Sequence, residues 1–185
     1  MFIQTEDTPN PAALKFLPGR PVLDSGVADF TDRTDAQRSP LARLLFEIDG
    51  VAGVFLGSDF VTVTKSGDKG WQVLKPMVLG AVMDHFTSGA AVMEGDASAD
   101  EEFAGEGVTS EMVSQIKELI ETRVRPAVAQ DGGDIVYRGF KDGTVFLNLR
   151  GSCAGCPSSS ATLKMGIENL LKHYLPEVQR VEAIA

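Results

Sequence analysis

Cysteine is scarce in this chain: only two of its 185 residues are cysteines, Cys153 and Cys156, and two residues separate them. A disulfide framework needs several cysteines in a short chain, so this composition excludes that class of small stapled protein. A single Cys-x-x-Cys pair in a chain of this size is instead typical of redox or metal chemistry. The two thiols are therefore the first candidates for a functional site.

Long apolar runs are lacking too, since no stretch approaches the roughly 18–20 residues that span a bilayer. Residues 1–10 contain neither the basic and apolar regions of a signal peptide nor the arginines of a transit peptide. From these absences we expect a soluble protein of a bacterial cytoplasm that does not associate with membranes. A mature mitochondrial form is the second choice.

Basic residues are outnumbered, with 17 lysines and arginines against 26 aspartates and glutamates and a net charge of −9. All of the excess acid lies in residues 1–106, because residues 107–185 carry nine basic and nine acidic side chains. A nucleic-acid surface needs a basic stripe to neutralise phosphates, and this sequence offers none. We therefore expect no nucleic-acid partner.

An acidic segment divides the chain into two modules. Residues 94–106 hold six acidic residues, no basic residue and a single large apolar side chain, Phe103. Such a composition cannot bury enough apolar surface to offset the entropy lost on ordering. We predict one module over residues 1–90, a flexible acidic linker over residues 91–107 and a second module over residues 108–185.

The first module is predicted to combine short strands with two helices. Its strands are expected at residues 2–4, 13–17, 51–56 and 60–64, and residues 18–37 are expected to be mostly loop. Ser39 followed by Pro40 indicates the start of the first helix. The second helix is predicted to begin near Trp71, with these residues facing the core: Leu74, Met77, Val78, Ala81, Val82 and Phe86.

The second module is predicted to run helix, strand, strand, helix, strand. Its first helix is ended or kinked by Pro126, and a tight turn follows at residues 131–134. Asp142-Gly143 is a hairpin signal between two strands. A second helix and a strand over residues 178–184 complete the order. Both modules together predict an α+β protein in which helices cover small sheets.

The two cysteines lie in a glycine-rich loop between a predicted strand and a predicted helix. Since that helix has Pro157 in its first turn, its unpaired N–H groups and dipole should lower the pKa of a nearby thiol. Gly151 and Gly155 let the backbone bend so that both sulfurs point the same way. Cys153 and Cys156 are therefore the predicted metal-binding pair.

Two thiolates are half of the four ligands that an iron–sulfur cluster or a structural zinc ion normally takes. The histidines do not complete the set, because His85 belongs to the other module and His173 lies about four turns along the helix. Both are expected on helix surfaces. A second copy of the chain, related by a two-fold axis, would supply the missing thiolates. We therefore predict a homodimer around a shared site.

The stretch DGGDIVYRGFKDGTVFLNLRGSCAGCPSSSATLKMGIENLL resembles the C-terminal NifU-type domain, and MFIQTEDTPNPAALKFLPG resembles the N-terminal domain of the Nfu family. The resemblance implies an iron–sulfur cluster assembly protein rather than an enzyme. It implies that Cys153 and Cys156 of each subunit bind one 4Fe–4S cluster, made of iron and inorganic sulfide, between two chains. Upstream scaffold proteins would donate the cluster and apo iron–sulfur enzymes would receive it. The first module would recognise partners or stabilise the donating form.

Two other functions could use the same thiols. A thioredoxin-like dithiol is disfavoured because the predicted element order does not match that topology. A zinc ion shared between subunits uses the same ligands and stays open. The turn at residues 131–134 is interpreted as structural, with its glycines at positive φ. The sequence has no nucleophile–base pair and no Walker loop, so an enzyme with its own substrate is not expected.

Overall fold

A computed structural model of the chain describes residues 1–95, 109–154 and 157–184, and the side chains of residues 157–160 are outside that description. The chain forms two compact units, Met1–Ser98 and Ala99–Ala185. Both combine helices with a sheet, which confirms the predicted α+β class. The predicted linker over residues 91–107 falls mostly outside the described residues, so its bounds stay a prediction.

The first unit is a five-stranded antiparallel sheet covered by two helices. Its strands stand in the order β1-β2-β5-β4-β3. The elements are β1 (Gln4–Asp7), β2 (Ala13–Leu17), β3 (Ala28–Phe30), a 3₁₀ turn (Asp35–Arg38), α1 (Pro40–Phe46), β4 (Val51–Leu56), β5 (Val61–Lys65) and α2 (Trp71–Ser88). Large apolar side chains from both layers are fully buried between them, among them Phe16, Phe30, Leu41, Leu45, Leu56 and Leu74.

Helix α1 begins where the sequence predicts. The Ser39 hydroxyl accepts a hydrogen bond from the Ala42 amide at 3.1 Å, and Pro40 occupies the first helical position. This arrangement satisfies one of the amides that every helix start leaves unpaired. Residues 18–37 are mostly loop, as predicted, with a short strand at residues 28–30 that was not predicted. Two expectations for this unit are wrong: Met77 is 46% exposed rather than in the core, and His85 is only 4% exposed rather than on the surface.

The second unit has the predicted order of helix, strand, strand, helix, strand. Its elements are α3 (Ser110–Leu119), a π-helical turn (Ile120–Val124), α4 (Arg125–Gln130), β6 (Gly133–Lys141), β7 (Thr144–Gly151), α5 (Pro157–Tyr174) and β8 (Arg180–Ile184). Strand β6 pairs with β7 antiparallel, through Asp142 and Gly143 at φ 51° and 75°. Strand β8 pairs with β7 parallel, as expected when a helix connects two strands.

Pro126 deforms the first helix of this unit but does not end it. The chain stays helical from Ser110 to Gln130. In the π-helical turn the Arg125 amide donates a hydrogen bond to the Ile120 carbonyl. Pro126 then lies in the first turn of α4, where its missing N–H is least costly. The helix therefore does not end at Pro126, and its irregularity is the π-helical turn that precedes this proline.

The core of the second unit joins the helices to one face of the three-stranded sheet. It includes Ile116, Ile135, Val145, Leu147 and Leu171, each almost wholly shielded from water. Cys153 is a member of the same apolar cluster. Among the helices that the structure describes, none is both long enough and apolar enough to cross a bilayer.

Candidate functional site

Cys153 lies in the short connection between the end of β7 and the start of α5, as predicted. Strand β7 ends at Gly151, whose φ of 67° turns the chain out of the sheet, and α5 begins at Pro157. The Cys153 side chain is only 6% exposed and packs in the core of its unit. Cys156 and Gly155 lie outside the described residues, so the distance between the two sulfurs stays open.

The turn that precedes β6 is joined to the cysteine loop by two hydrogen bonds. The Ser152 amide donates to the Gly132 carbonyl at 3.2 Å, and the Ser152 hydroxyl donates to the Asp131 carbonyl. Ser152 is itself buried. Residues 131–132 and 152, separated by 20 positions in the sequence, therefore form one local structure next to Cys153.

The two glycines of this turn have different roles. Gly132 has a φ of 79°, so the prediction of positive φ is confirmed there. Gly133 already belongs to β6, and what it provides is space. A Cβ added at Gly133 would lie 2.8 Å from the Cys153 sulfur and 2.7 Å from the Arg150 carbonyl oxygen. The prediction of positive φ is wrong for Gly133.

An ion pair with one buried partner, Asp134, fixes the other side of this turn. Arg125 donates from Nε and Nη2 to the two carboxylate oxygens of Asp134, at 2.8 and 2.9 Å, and from Nη1 to Glu121 at 2.7 Å. The Asp134 side chain is only 5% exposed. These bonds, chiefly the one to Asp134, raise the pKa of Arg125, so its charge is fixed at any physiological pH. The pair therefore anchors the beginning of β6.

Sequence reasoning found the cysteines but not the residues that support them: Arg125, Gly133 and Ser152. A usable signal existed in the hairpin. Asp142-Gly143 forms the turn between β6 and β7 and so fixes their register. In that register Gly133 pairs with Gly151, which lies two residues before Cys153. The bulge between Tyr137 and Gly139 shifts the register by one residue, which the sequence does not reveal.

The two histidines belong to different units. His173 is exposed on the last turn of α5, stacked edge-on against Tyr174, which confirms its predicted surface position. His85 is buried in the first unit. No group of three or more histidine, cysteine, aspartate or glutamate side chains suited to a metal ion occurs within residues 1–95, 109–154 and 161–184.

Comparison with protein families matches both units of the chain. The family model described as the N-terminal domain of the scaffold protein Nfu/NifU matches residues 3–89. The model described as the NifU-like domain matches residues 116–182, which include the cysteine loop. Together the two matches cover most of the chain.

Curated relatives resemble the chain along its whole length. The human protein named NFU1 iron-sulfur cluster scaffold homolog, mitochondrial, is 52% identical over 185 residues, which are 100% of this chain and 72% of the relative. NifU-like protein 4, mitochondrial, of Arabidopsis thaliana is 55% identical over 98% of this chain and 65% of its own length. Among solved structures, a Saccharomyces cerevisiae NifU-like protein is 29% identical, with a TM-score of 0.45 over 52% of this chain and 87% of that one.

These relatives correct the expected location. Proteins 50–55% identical to this chain are named mitochondrial, which contradicts the expected bacterial cytoplasm. The expectation of a bacterial cytoplasm is wrong. It depended on the lack of targeting features in residues 1–10, which does not distinguish a bacterial cytoplasmic protein from a mature organellar protein.

Proposed function

The chain belongs to the Nfu/NifU family of scaffold proteins, and from that premise we propose that it carries an iron–sulfur cluster and takes part in cluster assembly. The cluster is cargo: the chain takes it up, holds it and gives it to an apo-protein, without catalysing a reaction on a substrate of its own. The cargo we propose is a 4Fe–4S cluster, and its ligands are Cys153 and Cys156.

One observation carries the assignment to these residues. Cys153 lies in the connection from β7 to α5, inside the NifU-like domain, and the chain contains no cysteine other than Cys153 and Cys156. Thiolates are the usual ligands of iron–sulfur clusters. The start of α5 adds backbone N–H groups and a positive dipole end, which favour the negative charge of a thiolate-bound cluster.

We further propose that two copies of the chain share one cluster. A 4Fe–4S cluster takes four thiolates and one chain has two, so two chains related by a two-fold axis complete the set. Such a site lies between subunits, and a cluster there is released when the subunits separate. This arrangement suits delivery better than permanent storage.

Delivery would proceed by exchange of ligands. A thiolate of the recipient protein bonds to a cluster iron as Cys153 or Cys156 leaves it, so that the number of iron–sulfur bonds is conserved at each step. Upstream scaffold proteins are the proposed donors and apo iron–sulfur enzymes the proposed recipients. We assign partner recognition, or stabilisation of the donating form, to the first unit, because its sequence offers no set of ligand residues.

The test is anaerobic reconstitution with iron and sulfide, followed by absorbance, metal content and native mass on one sample. We expect a broad absorbance band at about 400 nm, about four irons per dimer and a dimeric native mass. Cys153→Ser and Cys156→Ser should each abolish stable cluster binding while far-UV circular dichroism stays that of the parent. A variant that keeps a full cluster would contradict its assigned ligand.

The same experiment separates the rival functions. A zinc-bearing module would show zinc, no visible absorbance and unfolding on chelation. A dithiol oxidoreductase would show a reversible disulfide between Cys153 and Cys156, together with reductase activity in the absence of iron. Either result would overturn the proposal.

A further inference from the structure

The Cys153 sulfur lies close to Gly133 of β6, where no side chain obstructs it. A Cβ at Gly133 would be 2.8 Å from that sulfur, whereas carbon and sulfur atoms of real side chains do not approach so closely. Gly133 does not need to be glycine for its backbone conformation, because φ is positive at Gly132 rather than at Gly133. Its only evident contribution is the space that it leaves.

We propose that Gly133 is a positioning residue for Cys153: the missing side chain forms a seat that the Cys153 sulfur occupies. The inference rests on the proposed function in one respect, that Cys153 is a cluster ligand. The seat itself can be measured without a cluster.

The seat has rigid walls. The Arg150 carbonyl oxygen would lie 2.7 Å from a Cβ at Gly133, and Arg150 is fixed by the pairing of β6 with β7. The pair of Arg125 with Asp134 anchors the residue that follows Gly133. On the other side, Ser152 is bonded to the turn through its amide and its hydroxyl. A larger side chain at position 133 therefore displaces the Cys153 sulfur and also strains the pairing of β6 with β7 at Arg150.

The seat has a consequence for loading. Cys153 as a residue is only 6% exposed and lies in an apolar core, so its thiol is poorly accessible to solvent-borne reagents. The seat should therefore limit oxidation and alkylation of the thiol. A cluster ligand must also reach its iron, so loading requires that the Cys153 side chain can leave the seat.

The rate of alkylation of Cys153 tests the seat directly. In a metal-free Cys156→Ser chain, Cys153 is the only thiol, and its reaction with iodoacetamide is followed by mass spectrometry. We expect the folded chain to react at least about tenfold more slowly than the same chain in guanidinium, which corresponds to a local opening of about 1.4 kcal/mol. Equal rates in the two states would overturn the proposal.

Gly133→Ala in the same background should speed alkylation several-fold, towards the rate of the unfolded chain. The matched control is Gly166→Ala in α5, because a Cβ there has no atom within 4 Å, and it should leave the rate unchanged. A folded Gly133→Ala chain with the parent rate would contradict the seat. Circular dichroism and the melting temperature of the same samples separate this effect from a general loss of stability, which would also speed alkylation but would lower the melting temperature.

A second measurement decides the matter if Gly133→Ala folds poorly. The loss of melting temperature caused by Gly133→Ala is compared with the loss in a chain that also carries Cys153→Ala. If the sulfur is the obstacle, its removal makes the loss clearly smaller, because the two residues are coupled. Equal losses in both backgrounds would show that the Cys153 sulfur does not occupy the space at Gly133. Failed reconstitution with intact alkylation behaviour would instead refute the proposed cargo and leave the seat standing.

Discussion

The Ser39 hydroxyl connects the start of α1 to the Val92 carbonyl, 53 residues further along the chain. It donates to that carbonyl at 2.5 Å and accepts from the Ala42 amide at 3.1 Å, while Ser39 is fully buried. The Glu94 amide donates to the Arg38 carbonyl at 2.8 Å alongside it. One helix cap therefore also fastens the segment that leaves α2 and leads towards the second unit.

Ser39→Ala should lower the free energy of unfolding of the first unit by about 2 kcal/mol, because it removes the cap and leaves two backbone groups unpaired. Trp71, the single tryptophan, lies in this unit, so its fluorescence during urea unfolding gives the measurement. Ser39→Thr keeps the hydroxyl and should recover most of the loss. Thr109→Ala, which removes an exposed cap in the other unit, should leave the Trp71 transition unchanged. A loss from Ser39→Ala no larger than that control's effect would refute the double role.

The ion pair of Arg125 with Asp134 predicts an unequal response to its two deletions. Arg125→Ala leaves the buried Asp134 carboxylate without its two bonds, which should cost about 3 kcal/mol. Asp134→Ala leaves Arg125, whose side chain is 31% exposed and still bonded to Glu121, so it should cost less. Arg125→Lys keeps the charge but loses the forked geometry, so its cost in unfolding free energy should lie between those of the two alanine variants.

Urea unfolding followed by far-UV circular dichroism measures these differences. Glu121→Ala is the control, because its ion pair with Arg125 is exposed and such pairs contribute under about 1 kcal/mol. If Arg125→Ala costs no more than Glu121→Ala, the buried carboxylate does not depend on Arg125. The double variant of Arg125 and Asp134 should cost less than the sum of the two single changes.

Local sequence signals were sufficient to predict the fold wherever neighbouring residues determine the backbone conformation. Ser39-Pro40 gave the start of α1, and Asp142-Gly143 gave the hairpin, because a capping hydroxyl and residues at positive φ act within a few residues. The order of elements in the second unit followed from such signals and from apolar spacing.

Tertiary pairing decided what the sequence did not predict. Strand β3 has only three residues with Asp29 at its centre, and it forms because Ala28 and Phe30 pair with β4 and enter the core. In α2 the apolar residues lie on several sides, so spacing alone did not separate the exposed Met77 from the buried side.

The candidate site divides in the same way. Its cysteines were found because the spacing of a Cys-x-x-Cys pair is a local signal. Its supporting residues were missed because their contacts form only after β6 and β7 have paired. Gly133 then lies beside Cys153, and Ser152 bonds to Asp131. Which residues hold a ligand in place is a tertiary property, and a Cys-x-x-Cys motif does not contain it.

His85 makes the stability of the first unit depend on pH. It is buried, its Nε2 has no hydrogen-bond partner among the described residues, and burial lowers its pKa below the usual 6.5. The unfolded chain therefore binds a proton at a higher pH than the folded chain does. His85 stabilises the fold fully above about pH 6.5, and this contribution is lost as the pH falls from there towards the lowered pKa of the folded state.

We therefore expect the urea midpoint reported by Trp71 fluorescence to fall between pH 7 and about 5.5, above the range in which most carboxylates titrate. His85→Leu cannot be protonated, so it should flatten this slope and leave the buried space filled. His173→Gln, which removes the exposed histidine of the other unit, should keep the slope. A slope that persists in His85→Leu would mean that another group titrates in this range, and a parent chain without a slope would mean that the buried imidazole accepts its proton without loss of stability.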